Sequence, residues 1–325
     1  MKYHSINRIL KDKQIIFIDG ITRTGKLLLG SLVSSFNHFE HLEFGENFEF
    51  LLPALRFKKV KKDFVNAFLN NYLNQLIYNK FIGRNVNFRP TDRTGIENSR
   101  DPKIYYKRLN LPEGSSVLKL IKKTKGLQLP FVTHEIAVNL NLLFSMNMNF
   151  KIIEIIRNPV DTAYSWYKRG LGKRFGEDQR MFTLLINQNT SIHPWYRALQ
   201  NTNINNLNEC EKCIYYVLIL NYLSNKNLLK YKNKRNVFVT CYEKLITNPT
   251  LEINKISSFL DTKINYKTIK FLKKENLPFK DISKIKKNHI NKTNVLKKLT
   301  SKKLFEELMK LEKQYESNYY KLLKI

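Results

Sequence analysis

Gly20, four intervening residues, then Gly25 and Lys26 give the spacing G-x-x-x-x-G-K inside the stretch IIFIDGITRTGKLLLGSL. In a nucleotide triphosphatase the next residue is Ser or Thr, because that hydroxyl ligates Mg²⁺. Here it is Leu27. The loop therefore keeps the spacing of an anion cradle and lacks the metal ligand. Arg23 and Lys26 add two cationic side chains. A second cluster lies far along the chain, where Arg157 closes the apolar run FKIIEII and Ser165 follows among Tyr164, Trp166 and Tyr167. Taken alone, each cluster has a plain alternative. The loop is equally a strand–turn–helix unit with solvated basic residues, and Arg157 is equally a cap on a sheet edge.

The elements that must hold these residues are legible in part. Ile15 to Ile18, followed by Asp19, read as a buried strand, and Gly20 permits a sharp exit. From Lys26 to Phe36 the pattern is helical, with Leu27, Leu28, Leu32 and Val33 expected on one side. Such a strand, turn and helix start aim unpaired N–H groups and a helix dipole at one spot. Asn158 is placed to cap a helix, Pro159 to occupy its first position and Asp161 its first turn, with Lys168 and Arg169 before Gly170 as a stop. Arg157 thus falls at the carboxyl end of a strand, where open α/β sheets bind ligands.

Elsewhere the chain is less informative. Phe57 to Ile82 has a helical period, and Asn87 to Pro102 is turn-rich. SSVLKLIKK and LQLPFVTHE read as short strands or a hairpin around Gly126, IAVNLNLLFSM as a helix, and Asn236 to Leu260 as strand, Tyr-Glu turn and amphipathic helix.

Composition excludes several classes. With 325 residues, 42% hydrophobic and 12% aromatic, the chain is neither disordered nor too small for a large core, and a single domain over 1–325 is expected. No apolar run is long enough to span a bilayer, and MKYHSINRILKDKQ lacks the apolar centre of a signal peptide, so a cytoplasmic protein starting near Met1 is expected. Cys210 and Cys213 form a lone C-x-x-C opening the apolar stretch CIYYVLIL, which reads as packing rather than zinc binding. The net charge of +30 is compatible with nucleic acid, with peripheral contact at an anionic membrane, or with anionic small molecules. Its Lys residues are spread along a chain also rich in Asn and Ile, and neither Lys232 to Arg235 nor Lys284 to Lys292 is an interleaved basic-aromatic tract. Specific nucleic-acid binding is not expected.

In order along the chain, these segments resemble the sulfotransferases that use 3′-phosphoadenosine 5′-phosphosulfate (PAPS). GITRTGKLLL is similar to that family's PRSGTTLL or PKSGTTW loop, KIIEIIRNPVDTAYSWY to its RNPKDVAVSYY motif, and VTCYEKLITNPTLEINKISSFL to its YEDL segment. FVTHE sits where cytosolic members carry KTH. The resemblance covers roughly 13–36 and 128–260, with a tail helix at 301–325, and leaves 37–115 as the variable, acceptor-binding part. It implies a three-layer α/β fold with a central, mostly parallel sheet, like that of the P-loop-containing nucleoside triphosphate hydrolases.

The resemblance also implies roles. The loop residues Arg23, Thr24, Gly25, Lys26 and Leu27 would bind the 5′-phosphosulfate of PAPS without a metal, with Lys26 and Leu27 departing from the family's Thr-Thr. Arg157 and Ser165 would hold the 3′-phosphate. His134, suited by the ordinary pKa of imidazole, would be the catalytic base, and Arg23 and Lys26 would stabilise charge during transfer. His38, His41, Glu43, Glu46 and Glu135 are the alternative bases. The acceptor expected first is a glycan or glycolipid hydroxyl, then a small alcohol or phenol. A P-loop kinase or NTPase and a basic nucleic-acid-binding protein are the competing functions, and neither accounts for Arg157 with Ser165.

Overall fold

Alternating side chains make Gln14–Asp19 the central strand, β1: Ile15 and Phe17 enter one hydrophobic cluster, while Ile16 and Ile18 enter another on the opposite face. The computed structural model describes residues 2–3, 13–174, 183–188, 191–200, 204 and 206–318. Met1 and most of the segment read as lacking a signal peptide lie outside the described residues, as do the last seven residues of the expected tail helix.

After β1 the chain forms α1 (Lys26–Ser34), β2 (Glu43–Phe44), α2 (Glu46–Arg56), α3 (Lys62–Phe81), α4 (Pro102–Arg108) and α5 (Ser115–Lys123). Next come β3 (Gln128–Val132), a 3₁₀ turn at Ile136–Asn139, α6 (Leu140–Phe144), β4 (Phe150–Ile156), α7 (Pro159–Lys168) and α8 (Leu171–Arg174). A small antiparallel pair, β5 (Leu185–Gln188) and β6 (Ser191–Pro194), precedes α9 (Glu209–Tyr231) and β7 (Val237–Cys241). The helices α10 (Tyr242–Thr247), α11 (Pro249–Phe259), α12 (Tyr266–Lys274), α13 (Ile282–Leu299) and α14 (Lys302–Asn318) complete it.

Five strands pair in the order β2-β3-β1-β4-β7, all parallel. The α2, α3, α5 and α6 side chains cover one face of the sheet, and those of α1, α11 and α12 cover the other. This is the expected three-layer α/β arrangement, with a sheet parallel throughout. A further apolar cluster joins α7, α9, α13 and α14. No helix among the described residues is long and apolar enough to cross a membrane.

Three expectations are corrected. SSVLKLIKK is helix α5, not a strand: Val117 and Ile121 are buried at helical spacing, whereas Leu118 and Leu120 are exposed. In α1 the buried side is built on Leu29, Leu32 and Val33, and Leu27 faces outward at 37% exposure. The Tyr-Glu turn is the short helix α10. By contrast α7 begins as its residues dictate, with Asn158 Oδ1 accepting from the Val160 and Asp161 N–H groups at 2.9 and 3.2 Å and Pro159 following.

Candidate functional site

The carboxyl ends of β1, β3, β4 and β7 bring the singled-out segments together. After Asp19 the loop turns through Gly20 (φ 153°), Arg23 (φ 75°) and Gly25 (φ 101°) before α1 begins. A Cβ on Gly20 would lie 2.4 Å from the Ile155 carbonyl oxygen, and one on Gly25 would lie 2.5 Å from the Tyr242 ring. Both glycines are therefore required by space as well as by φ. Gly25 provides no side-chain cap, so the first N–H groups of α1 retain donor capacity for an anion.

Three contacts tie the loop to α7 and β4. Arg23 Nε donates to Ser165 Oγ at 3.2 Å, Arg157 Nη1 donates to the Arg23 carbonyl at 3.0 Å, and Trp166 Nε1 donates to the Thr22 carbonyl at 2.7 Å. The Arg157 guanidinium also stands 4.5 Å from the Tyr242 ring centroid. Burial lowers the pKa of Arg23, and the charges of Arg169 and Arg157 lower it further. Among the described residues, no carboxylate forms an ion pair with Arg23, Arg157 or Arg169. Arg157 Nε is buried without a hydrogen-bond acceptor. Like charges gathered around an unsatisfied donor fit a multiply charged anion.

Lys26 lies beneath this cradle. Its ammonium donates to the Gly20 and Ile21 carbonyls at 2.6 and 3.0 Å and is 4% exposed. Burial lowers its pKa, opposed by Glu135, Asp19, Glu49 and Glu154. Asp19 and Glu154 face each other across β1 and β4, and Asp19 accepts from Thr133 Oγ1 at 2.9 Å and the Ala137 N–H at 2.7 Å. Burial, reinforced by Asp19, pushes Glu154 well above the ordinary carboxylate range. Thr24 is likewise turned inward, its hydroxyl donating to the Ile21 carbonyl at 2.9 Å.

His134 follows β3 at the same end of the sheet. Its backbone N–H and its ring Nδ1 both meet Glu49 Oε1, at 2.8 and 3.0 Å. An oxygen that accepts the backbone N–H accepts from a protonated Nδ1 as well, which leaves Nε2 as the ring's lone-pair nitrogen. Burial and then the Lys26 charge lower the His134 pKa to about 4, so the ring is neutral at pH 7. Burial raises Glu49 to about 7. Glu49 was missed in the sequence; its position in the first turn of α2, three residues after Glu46, was the available signal.

The alternative bases separate. Glu135 Oε1 accepts from the Thr22 N–H and hydroxyl, both at 3.1 Å, and thereby clamps the loop. Glu46 is exposed, and partial desolvation raises its pKa. His41 and Glu43 belong instead to the sheet edge: Lys80 Nζ lies 2.7 Å from His41 Nε2 and 2.5 Å from Glu43 Oε1. Burial and then Lys80 lower His41 to about 4. His38 is exposed, and its carbonyl accepts from the Gln128 N–H at 2.9 Å. Cys210 and Cys213 are buried in the α7–α9 cluster, with thiol pKa values pushed by burial to about 11 and 12.

A family model described as a sulfotransferase domain matches residues 13–321. The search of curated proteins found no match. Among solved structures, the chain is similar to a sulfotransferase domain from the curacin biosynthetic pathway, with 13% identity over 79% of this chain and 76% of that one and a TM-score of 0.44. It is also similar to a sulfotransferase from Alicyclobacillus acidocaldarius, with 14% identity over 77% and 82% of the two chains and a TM-score of 0.36. A third is retinol dehydratase in complex with androsterone and inactive cofactor PAP, with 13% identity over 94% and 81% and a TM-score of 0.38.

Proposed function

Because the chain belongs to the sulfotransferase domain family, we propose that it moves the sulfuryl group of PAPS to a hydroxyl of a glycan or glycolipid. The observation that carries the donor reading is the convergence of Arg23, Arg157 and Ser165, with a buried, unsatisfied Arg157 Nε among them. That donor set suits a nucleotide bearing both a 3′-phosphate and a 5′-phosphosulfate. Arg157 and Ser165 take the 3′-phosphate, while Arg23 and the first N–H groups of α1 take the 5′ end. Bound PAPS supplies the sulfuryl group, its sulfur–oxygen bond to the 5′-phosphate breaking as the bond to the acceptor oxygen forms. Lys26 contributes from below, fixing the Gly20 and Ile21 carbonyls and adding positive potential at the loop.

On the acceptor side, neutral His134 receives the hydroxyl proton at Nε2. Glu49 holds Nδ1–H and balances the imidazolium that forms. The carboxylates Glu46 and Glu49, both in the first turn of α2, supply hydrogen-bond acceptors for a polyhydroxylated molecule. An acceptor screen with radiolabelled PAPS tests this reading: label should enter oligosaccharides or glycolipids. Label in simple phenols or alkanols alone would overturn the acceptor class.

A further inference from the structure

Two buried connections run from Arg157 to the far end of the chain. Asn158, next to it, is buried and engaged on three sides: its N–H donates to Glu243 Oε1 at 3.0 Å, its Oδ1 caps α7, and its Nδ2 donates to Glu312 Oε1 at 2.6 Å. The Arg157 guanidinium itself lies against the Tyr242 ring, and the residue after Tyr242, Glu243, accepts the Tyr315 hydroxyl at Oε2. Glu312 and Tyr315 are three residues apart on α14, so both point from one side of that helix. Both are buried, as is Glu243. From α13, His289 fixes Glu312 in turn, with Nε2 3.0 Å from Oε1. Helix α14 thus holds the backbone beside Arg157 and the element that carries Tyr242, while supplying none of the donor-binding groups assigned above. Removing either α14 partner leaves a buried polar group unmatched at Asn158 or Glu243. That penalty is relieved only if the segment shifts, and Arg157 shifts with it.

On the reading that Arg157 takes the 3′-phosphate, we infer that Glu312 and Tyr315 are positioning residues for nucleotide recognition. They act through Asn158 and Glu243, without touching the nucleotide, to hold the Arg157 guanidinium where that phosphate is met.

Calorimetric titration of the full-length protein with PAP and with adenosine 5′-phosphosulfate tests this, at a temperature where every variant is folded. Glu312→Ala and Tyr315→Phe should each weaken PAP roughly tenfold, as a misaligned charge-assisted contact does. Adenosine 5′-phosphosulfate, which has no 3′-phosphate, should bind nearly as to wild type. Glu312→Gln keeps an oxygen that accepts from Asn158 Nδ2, so it should retain PAP affinity while losing the His289 ion pair and lowering Tm. A purely structural role would lower Tm in all three variants and leave both affinities unchanged; that result overturns the inference, as does an equal loss for the two nucleotides. Arg157→Ala, titrated alongside, separates the two levels. Selective loss of PAP there, but not in Glu312→Ala and Tyr315→Phe, overturns the inference alone. No selective loss in Arg157→Ala overturns the 3′-phosphate reading and the inference with it.

Discussion

Arg157 donates one hydrogen bond to the Arg23 carbonyl and keeps its buried Nε unmatched. If it holds the 3′-phosphate, Arg157→Ala should weaken PAP by about 1.5–3 kcal/mol and adenosine 5′-phosphosulfate far less, because only PAP carries that group. Equal losses for both nucleotides in a binding titration would remove Arg157 from the 3′-phosphate. At the acceptor end, the pair of His134 and Glu49 shifts the expected pH dependence. His134, lowered to about 4, is already neutral near pH 7, whereas Glu49, raised to about 7, gains its negative charge there. The ascending limb of kcat/KM should therefore lie near pH 7 and follow Glu49. Glu49→Gln should remove that limb, and His134→Ala should lower kcat by about 10²–10⁴-fold with PAP affinity retained. A limb near pH 4 in the wild type, or one that survives Glu49→Gln, would contradict the pairing. Arg23, Arg157 and Ser165 were singled out through the resemblance of their segments to the sulfotransferases, and the structure brings the three together. Glu49 was not, because 85 residues separate it from His134 and only the β3–α2 contact joins them.

At the level of elements, the strand–helix unit of β4 and α7 was the most readable part of the chain, because its signals are local: an Asn cap, a Pro and a Gly beyond the last turn. Helix α5 was misread because two of its four apolar residues, Leu118 and Leu120, are exposed, and the side that is buried becomes clear only once the sheet face covering Val117 and Ile121 is known. Nothing local announced that α13 and α14 brace α7. His289 bridges them, with Nδ1 3.5 Å from Asp161 Oδ1 and Nε2 3.0 Å from Glu312 Oε1, and Lys292 also reaches Asp161 at 2.8 Å. Glu312 accepts from Asn158 Nδ2 at 2.6 Å, so the brace ends beside Arg157. Against the downward pull of burial, Asp161 and Glu312 raise His289 to about 9. A raised folded-state pKa gives stability that is fully present below the unfolded value near 6.5 and is lost as pH rises through about 9. Thermal unfolding should accordingly show wild-type stability falling between pH 7 and 10, by on the order of 3 kcal/mol at most. His289→Gln should be less stable at pH 6 and flat over that range. A variant with the same pH slope as wild type would show that another group carries it.

For the whole molecule, the charge of +30 is a weak guide, since it is spread over most of the chain. What concentrates charge usefully is the sheet: four parallel strand ends gather Arg23, Arg157 and Arg169 around one loop, with Lys26 and its carboxylates underneath. On the proposed reading, this site recognises a 3′-phosphorylated nucleotide and needs no metal to do so. Thermal unfolding of the full-length protein with PAP, and separately with ATP and Mg²⁺, tests it most directly. A ligand that binds only the folded state adds RT ln(1 + [L]/Kd), about 2.7 kcal/mol at a hundredfold excess over Kd. PAP should raise Tm accordingly, the rise should persist in EDTA, and ATP with Mg²⁺ should raise it far less. An equal rise with ATP that EDTA abolishes would instead make the loop a metal-dependent nucleotide-triphosphate site.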